Sequence, residues 1–262
     1  MLSWVTTMAS DPDLKALLES WPYDPEDCVR VVTLADGRDV MQVRLPLGIE
    51  QYELDGRPDG QRPHNAESLL DHHLAQLDKA KAAGTDSAFR LSPDDCLELF
   101  NEGVLYYYRY LHLFQMKDWP RTVGDTIRNL RLFDFIHRHA ARDEDKQYLE
   151  QWRPYVLRIS AIAAAMIQLD DHNHPNALAI IQTAAQTIES LPDVDDESYK
   201  YERHRSLEAL HDFADQVEQT TPLTELQKLE RQLLDAVTTE RYERAAELRD
   251  RIRVMRDPGN RA

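Results

Sequence analysis

The sequence predicts a mainly α-helical protein with a small N-terminal antiparallel β-sheet, an α+β arrangement in which a body of helical hairpins precedes a further, C-terminal helical hairpin. Three observations carry this reading. Residues 29–54 alternate with a period of two around an Asp-Gly turn, whereas from residue 65 onward apolar residues recur at spacings of three and four. Helix-start signals stand where the helical stretches begin, Ser92-Pro93-Asp94-Asp95 being the clearest. A chain of 262 residues, 42% hydrophobic and 30% charged, can bury a core for one large domain or two small ones and is too apolar for a disordered one.

By composition the chain divides into residues 1–62, 63–219 and 220–262. Residues 1–27 read as a weak helix and a Pro-rich stretch, Trp21-Pro22-Tyr23-Asp24-Pro25, an arm lying over the body. Residues 29–34 and 40–45 form a hairpin around Ala35-Asp36-Gly37-Arg38, because Asp-Gly supplies the positive φ a tight turn needs. A third strand over 49–54 follows Pro46 and Gly48, which mark an edge or a bulge. Asp55-Gly56-Arg57-Pro58-Asp59-Gly60 closes this small meander with turns.

The helices follow in order. Asn65 is placed to cap a helix with Leu70, His73, Leu74, Leu77 and Ala80 on one face, ending at Gly84. Ser92 starts a helix that runs to about Lys117, with a hydroxyl cap, Pro at the first position and acids at the positive dipole end. The next spans about 120–139. Two more cover about 143–171, interrupted near Pro154, and 175–191, and an amphipathic helix occupies 197–218 after the acidic connector 193–196.

Tyr107, Tyr110, Phe114, Val123, Ile127 and Leu130 correspond by spacing to Ala161, Ala164, Gln168, Ala177, Ile181 and Ala184. The pattern is similar to that of tetratricopeptide repeats, whose paired helices bury alternating small and large residues. It departs from that family in its spacing of 54 residues from Val123 to Ala177, and in Leu111, where a small residue belongs. The run from Val104 to Phe114 is aromatic around most of its circumference, which places it centrally in a bundle. The alternative is a concave peptide groove lined by Tyr107, Arg109 and His112.

Charge narrows the function. Lys and Arg number 31 against 47 Asp and Glu, a formal net charge of −16. Residues 222–262 hold nine basic and eight acidic side chains, leaving 22 basic and 39 acidic in residues 1–221, a net of −17. Direct nucleic-acid binding by such a body is disfavoured, since phosphate contacts need basic surface. No apolar run reaches the length of a membrane helix, and Met1-Leu2-Ser3-Trp4 shows no secretory signal. Two distant cysteines, Cys28 and Cys96, exclude a disulfide framework and fit a reducing cytoplasm. Neither stands beside a basic cluster that would activate it.

No cofactor is expected. Asp36-Gly37-Arg38 and Gly56-Arg57-Pro58-Asp59-Gly60 lack the strand, helix and Lys of a phosphate loop. His137 and His139, His172 and His174, and the carboxylate–His spacings Asp134/His137, Glu208/His211 and Asp171/His174 raise a metal reading, with Glu98 as a further ligand. The spacings fall short of a dinuclear set, and histidines near helix ends suit the helix dipole, so no metal is expected.

The most specific stretch is residues 223–256. Leu226, Leu229, Leu233 and Ala236 make one apolar stripe, Thr238-Thr239-Glu240-Arg241 breaks it, and Tyr242, Ala245, Leu248, Ile252 and Met255 make a second. This predicts two helices with a turn near 238–241, close-packed through Ala245-Ala246, with charges of both signs outside. The stretch closely resembles the UVR motif found at the end of the excision-repair helicase UvrB and within the nuclease subunit UvrC. Leu229-Glu230, Ala236, Tyr242-Glu243, Ala245-Ala246, Leu248-Arg249-Asp250 and Ile252 carry the likeness. Tyr242 stands where the family more often has Phe.

The resemblance implies a bacterial protein with a protein-binding hairpin, as in Clp-type chaperone ATPases and activators of protein-arginine kinases. Its contact residues are expected to be Leu229, Glu230, Leu233, Tyr242, Glu243, Leu248, Arg249, Asp250 and Ile252. The implied partner is another UVR-containing protein, a Clp-type chaperone or a second copy, giving a homodimer. No Walker A sequence, helicase motif, nuclease constellation or Cys-x-x-Cys pair accompanies it. The expected function is therefore non-catalytic; an enzyme or metalloprotein built in the helical body is the alternative. The polar run 218–222, ending in Pro222, reads as a hinge. The stripes call for cover, from a partner or by docking in cis.

Overall fold

The computed structural model describes residues 14–221 and 225–256, in two compact units, Met1–Ala214 and Asp215–Ala262. The expected arm over 1–27 is seen from residue 14, as helix α1 (Lys15–Ser20); residues 1–13, and Pro222 of the expected hinge, lie outside the described residues.

Strands β1 (Val29–Thr33), β2 (Asp39–Leu45) and β3 (Gly48–Glu53) form one antiparallel sheet in the order β1-β2-β3. Val31 pairs with Met41 and Met41 with Tyr52. Gly37 takes φ 84° at the first turn, where a side chain would be strained. Pro46 and Leu47 do not interrupt a strand; they are the two-residue link between the paired Leu45 and Gly48. Met41, Val43, Tyr52 and Leu54 pack on Leu113. On the opposite face Arg44 donates to the carbonyls of Trp21 (2.6 Å) and Gly48 (3.2 Å), and Arg30 lies 3.8 Å over the Trp21 ring, so the arm is pinned to the sheet.

Helices α2 (Leu69–Ala82), α3 (Pro93–Gln115), α4 (Trp119–His139), α5 (Asp143–Tyr148), α6 (Arg153–Asp170), α7 (His174–Glu189) and α8 (Glu197–Thr220) follow. Neighbours in sequence are neighbours in space: α3 packs on α4, α4 on α6, and α6 on α7. Leu70, Leu77, Leu99, Leu132, Phe135, Ile136 and Val156 form the main core. Ser92 closes a full capping box with Asp95. The cap of α2 is Ser68 rather than Asn65, which instead sits at φ 61°.

Four helix ends share one geometry. After α2, α3 and α6 the chain turns left-handed at Gly84, Lys117 and His172, with the following amide bonded five residues back, Thr85 to Ala80, Asp118 to Leu113 and Asn173 to Gln168. These are Schellman ends, and only the first uses glycine. A further tie joins α3 to α4: Leu91 donates to His139 O at 2.8 Å and accepts from Ala141 at 3.1 Å, so the start of one helix is bonded to the end of the other.

Two buried ion clusters cross this scaffold. Arg109 grips Asp125 through two bonds of 2.8 and 2.6 Å and donates to Glu53 O of β3 at 2.8 Å. Burial pushes the Asp125 carboxyl up, against the pull of Arg109. Glu102, fully buried, accepts from the amides of Leu69 (2.7 Å) and Leu70 (3.1 Å), from Arg128, and lies 3.3 Å from Arg57.

The positions matched by spacing between α3–α4 and α6–α7 do not share an environment: Ile127 is exposed and Ile181 buried. Nor is α3 enclosed. Tyr106, Tyr110 and Leu113 are buried, while Val104, Tyr108 and Leu111 face outward.

Candidate functional site

Helices α9 (Glu225–Thr238) and α10 (Tyr242–Arg256) form the hairpin expected over 223–256. The turn falls at Thr239, Glu240 and Arg241. Glu240 takes φ 57°, its amide donates to Val237 O (3.1 Å), and that of Arg241 donates to Ala236 O (2.7 Å), a fourth Schellman end with Glu in the glycine position. The left-handed residue stops α9 and reverses the chain, so that α10 packs back along it.

The two stripes cover each other. Leu229 and Ala236 of α9 meet Ala245, Leu248 and Ile252 of α10, with Leu226 and Leu233 partly buried against them. Burying each Leu or Ile is worth roughly 1.5–3 kcal/mol, which is what holds so short a pair together. Ala245 is buried between the helices, while Ala246 is turned outward. Tyr242 and Met255, expected on the second stripe, are exposed, Tyr242 by 67%.

Of the nine expected contact residues, Leu229, Leu248 and Ile252 therefore lie in the hairpin's own core and Leu233 lies half-buried beside them. Glu230 bonds Arg256 at 2.5 Å, linking α9 to α10. Tyr242, Glu243, Arg249 and Asp250 are on the surface. The sequence reading missed Leu234 (67% exposed) and Val237, outward-facing apolar residues one position after Leu233 and Ala236. Their signal was there: neither fits the stripe, so neither had a partner within the hairpin. Val254 and Met255 are exposed at the opposite end of α10.

The outer faces carry alternating charge in short pairs, Lys228–Glu225 at 2.6 Å, Arg244–Glu247 at 2.8 Å and Arg241–Asp235 at 3.2 Å. The bond from Lys228 holds the Glu225 carboxyl below its ordinary range. Such exposed pairs set register more than stability. Residues 222–262 contain no His, Cys or Ser, so the chemistry on offer is apolar contact framed by charge, which is recognition.

In the body, the residues singled out for metal are engaged elsewhere. Asp134 bonds Arg153 at 2.9 Å, and Glu208 lies 3.3 Å from His204. Among the described residues no three His, Cys, Asp or Glu side chains come together as a metal site. Arg109 is locked to Asp125 and lines no groove; His112 leans on Tyr52, 5.9 Å between rings, and burial lowers its pKa. Burial pushes the Cys96 thiol up to about 11. No helix among the described residues is long and apolar enough to cross a membrane.

A short two-helix module whose inner face is consumed by its own packing, and whose outer face is apolar and charged, is an interaction module. Its family is the UvrB/uvrC motif, whose model matches residues 224–257. No curated protein and no solved structure matches the chain. The motif belongs to protein interaction or DNA repair and is not a catalytic one.

Proposed function

We propose that this protein is a non-catalytic adaptor of the bacterial cytoplasm that captures a protein partner through its UVR hairpin, in nucleotide excision repair or in Clp-type protein quality control. The observation that supports the reading is the outward apolar set Leu234, Val237 and Tyr242 on a hairpin matched by the UvrB/uvrC motif. Leu229, Leu233, Leu248 and Ile252 serve by fixing the distance between the helices. Glu230, Glu243, Arg249 and Asp250 form a charged rim that selects the partner's register. The partner is a second UVR-bearing protein, a Clp-type ATPase or another copy of the chain, and the acidic body repels nucleic acid.

The test is capture by the immobilised full chain of three purified probes: a UvrC hairpin, a Clp ATPase and the chain itself. One of them should be retained, and the substitution Leu234→Glu should abolish its retention. Retention unaffected by Leu234→Glu and Tyr242→Ala together, or retention of none of the three, refutes the proposal.

A further inference from the structure

Helix α3 carries a second apolar surface, far from the hairpin in sequence. Leu97, Asn101, Val104, Tyr108, Leu111 and Gln115 are all exposed and follow one another at spacings of 4, 3, 4, 3 and 4. That alternation is the seam of a two-helix coiled coil. Leu97 is 56% exposed and Tyr108 46%. The flanks are apolar too. Phe100, Leu105, Tyr107 and Phe114 are half-buried, and Phe100 stacks at 4.7 Å on Tyr148, which widens the strip onto α5. The seam runs about 27 Å at 1.5 Å per residue.

We propose that α3 pairs antiparallel with α3 of a second copy of this chain. The proposal goes beyond the hairpin reading and does not depend on it. A two-fold interface must be self-complementary, since residue i meets j and j meets i. An axis passing at residue 106 sets Leu97 against Gln115, Asn101 against Leu111, and Val104 against Tyr108. Each contact thus joins a larger apolar side chain to a smaller or polar one. A parallel pairing would set Tyr108 on Tyr108 and Asn101 on Asn101.

The charges fit the same register. On one flank Leu105 meets its own copy and Glu98 meets His112; on the other Phe100 meets Phe114 and Tyr107 meets its copy. Glu98 is the single carboxylate flanking the seam, and it faces an imidazole rather than another acid. This matters in a chain of net charge −16, where most surfaces of two copies repel. A footprint of about 270 Å², from the seam's length and a helix width of about 10 Å, is well below the ~800 Å² per partner of a stable dimer. The dimer is accordingly weak and dependent on concentration.

Sedimentation of the full chain over a concentration series tests this. The parent should show a reversible monomer–dimer equilibrium. Tyr108→Glu, at an exposed position, should weaken it by roughly tenfold or more while the melting curve stays in place. Leu234→Glu on the hairpin should leave it unchanged. For register, Val104→Cys and Tyr108→Cys chains mixed and gently oxidised should yield a 104–108 disulfide by mass spectrometry in preference to a 104–104 one. A parent monomeric at every concentration, a dimer indifferent to Tyr108→Glu, or a dominant 104–104 bridge overturns the proposal. Dimerisation lost only in Leu234→Glu assigns self-association to the hairpin, overturning the α3 pairing while supporting the hairpin's role.

Discussion

Replacing Glu102 by Gln is the sharpest test of how the body is held together. The Glu102 carboxylate is fully buried and receives the first two amides of α2, from Leu69 and Leu70, while Ser68 takes the amide of Asp71. A helix leaves four such amides without partners, so a residue 33 positions away completes the cap of α2. The same carboxylate neutralises Arg128 and Arg57. Gln fills the same volume but carries no charge and turns an NH2 toward groups that are all donors. Breaking a buried pair costs about 3–5 kcal/mol, and the two amide bonds are part of that sum rather than an addition to it. In a unit of this size the melting temperature should drop by roughly 10 °C. All four tryptophans, Trp4, Trp21, Trp119 and Trp152, precede residue 215, so tryptophan fluorescence in urea reports this unit alone. A loss under about 1 kcal/mol at unchanged slope would refute the view that this carboxylate anchors α2.

Three further outcomes are expected. Glu240→Gly relieves the left-handed backbone at the hairpin turn and should stabilise α9–α10 by about 0.5–1 kcal/mol, read as two- to fivefold slower amide exchange there; faster exchange would count against the turn geometry. Leu248→Ala should cost about 2–4 kcal/mol in the hairpin core, stripping protection from hairpin amides while the tryptophan-detected melt stays put; retained protection would show that another surface supports the hairpin. Burial lowers the pKa values of His72, His112 and His139 below 6.5, so the unfolded chain binds more protons as pH falls. Stability should therefore decline from about pH 6.5 downward, with a second loss below the ordinary carboxylate range as the lowered Asp95 and Asp145 protonate. His139→Phe, set between Phe89 and Phe135, should flatten part of the first decline; a urea midpoint constant from about pH 7 to 5 would contradict the assignment.

What could be read from the sequence is what is local. Asp36-Gly37 announces its turn because the positive φ is a property of two residues, and Ser92 announces α3 because the capping box closes within four. The start of α2 was misplaced at Asn65 because half of its cap comes from Glu102 on another helix. Pro46 looked like a break because a proline's missing amide is the same signal in a bulge and in a tight link. The all-round apolar character of α3 could not say which side lacks a neighbour; only the positions of the sheet, α4 and α6 leave Val104, Tyr108 and Leu111 open. In the hairpin the helices were legible, but their stripes were assigned to a partner when each is the other's cover. Leu234 and Val237, off the periodic face, were passed over because periodicity selects residues for the inside.

The tie between Leu91 and the His139–Ala141 backbone has a mechanical consequence. It fastens the beginning of α3 to the end of α4, so the 49 residues between Leu91 and Ala141 form a loop clasped at its neck by two parallel-running hydrogen bonds. Tension applied to the chain outside the clasp bypasses those helices until both bonds fail, and then releases their whole contour at once. Stretched from its ends, the molecule should yield at this neck in a single long extension, with α3 and α4 shielded from load up to that moment.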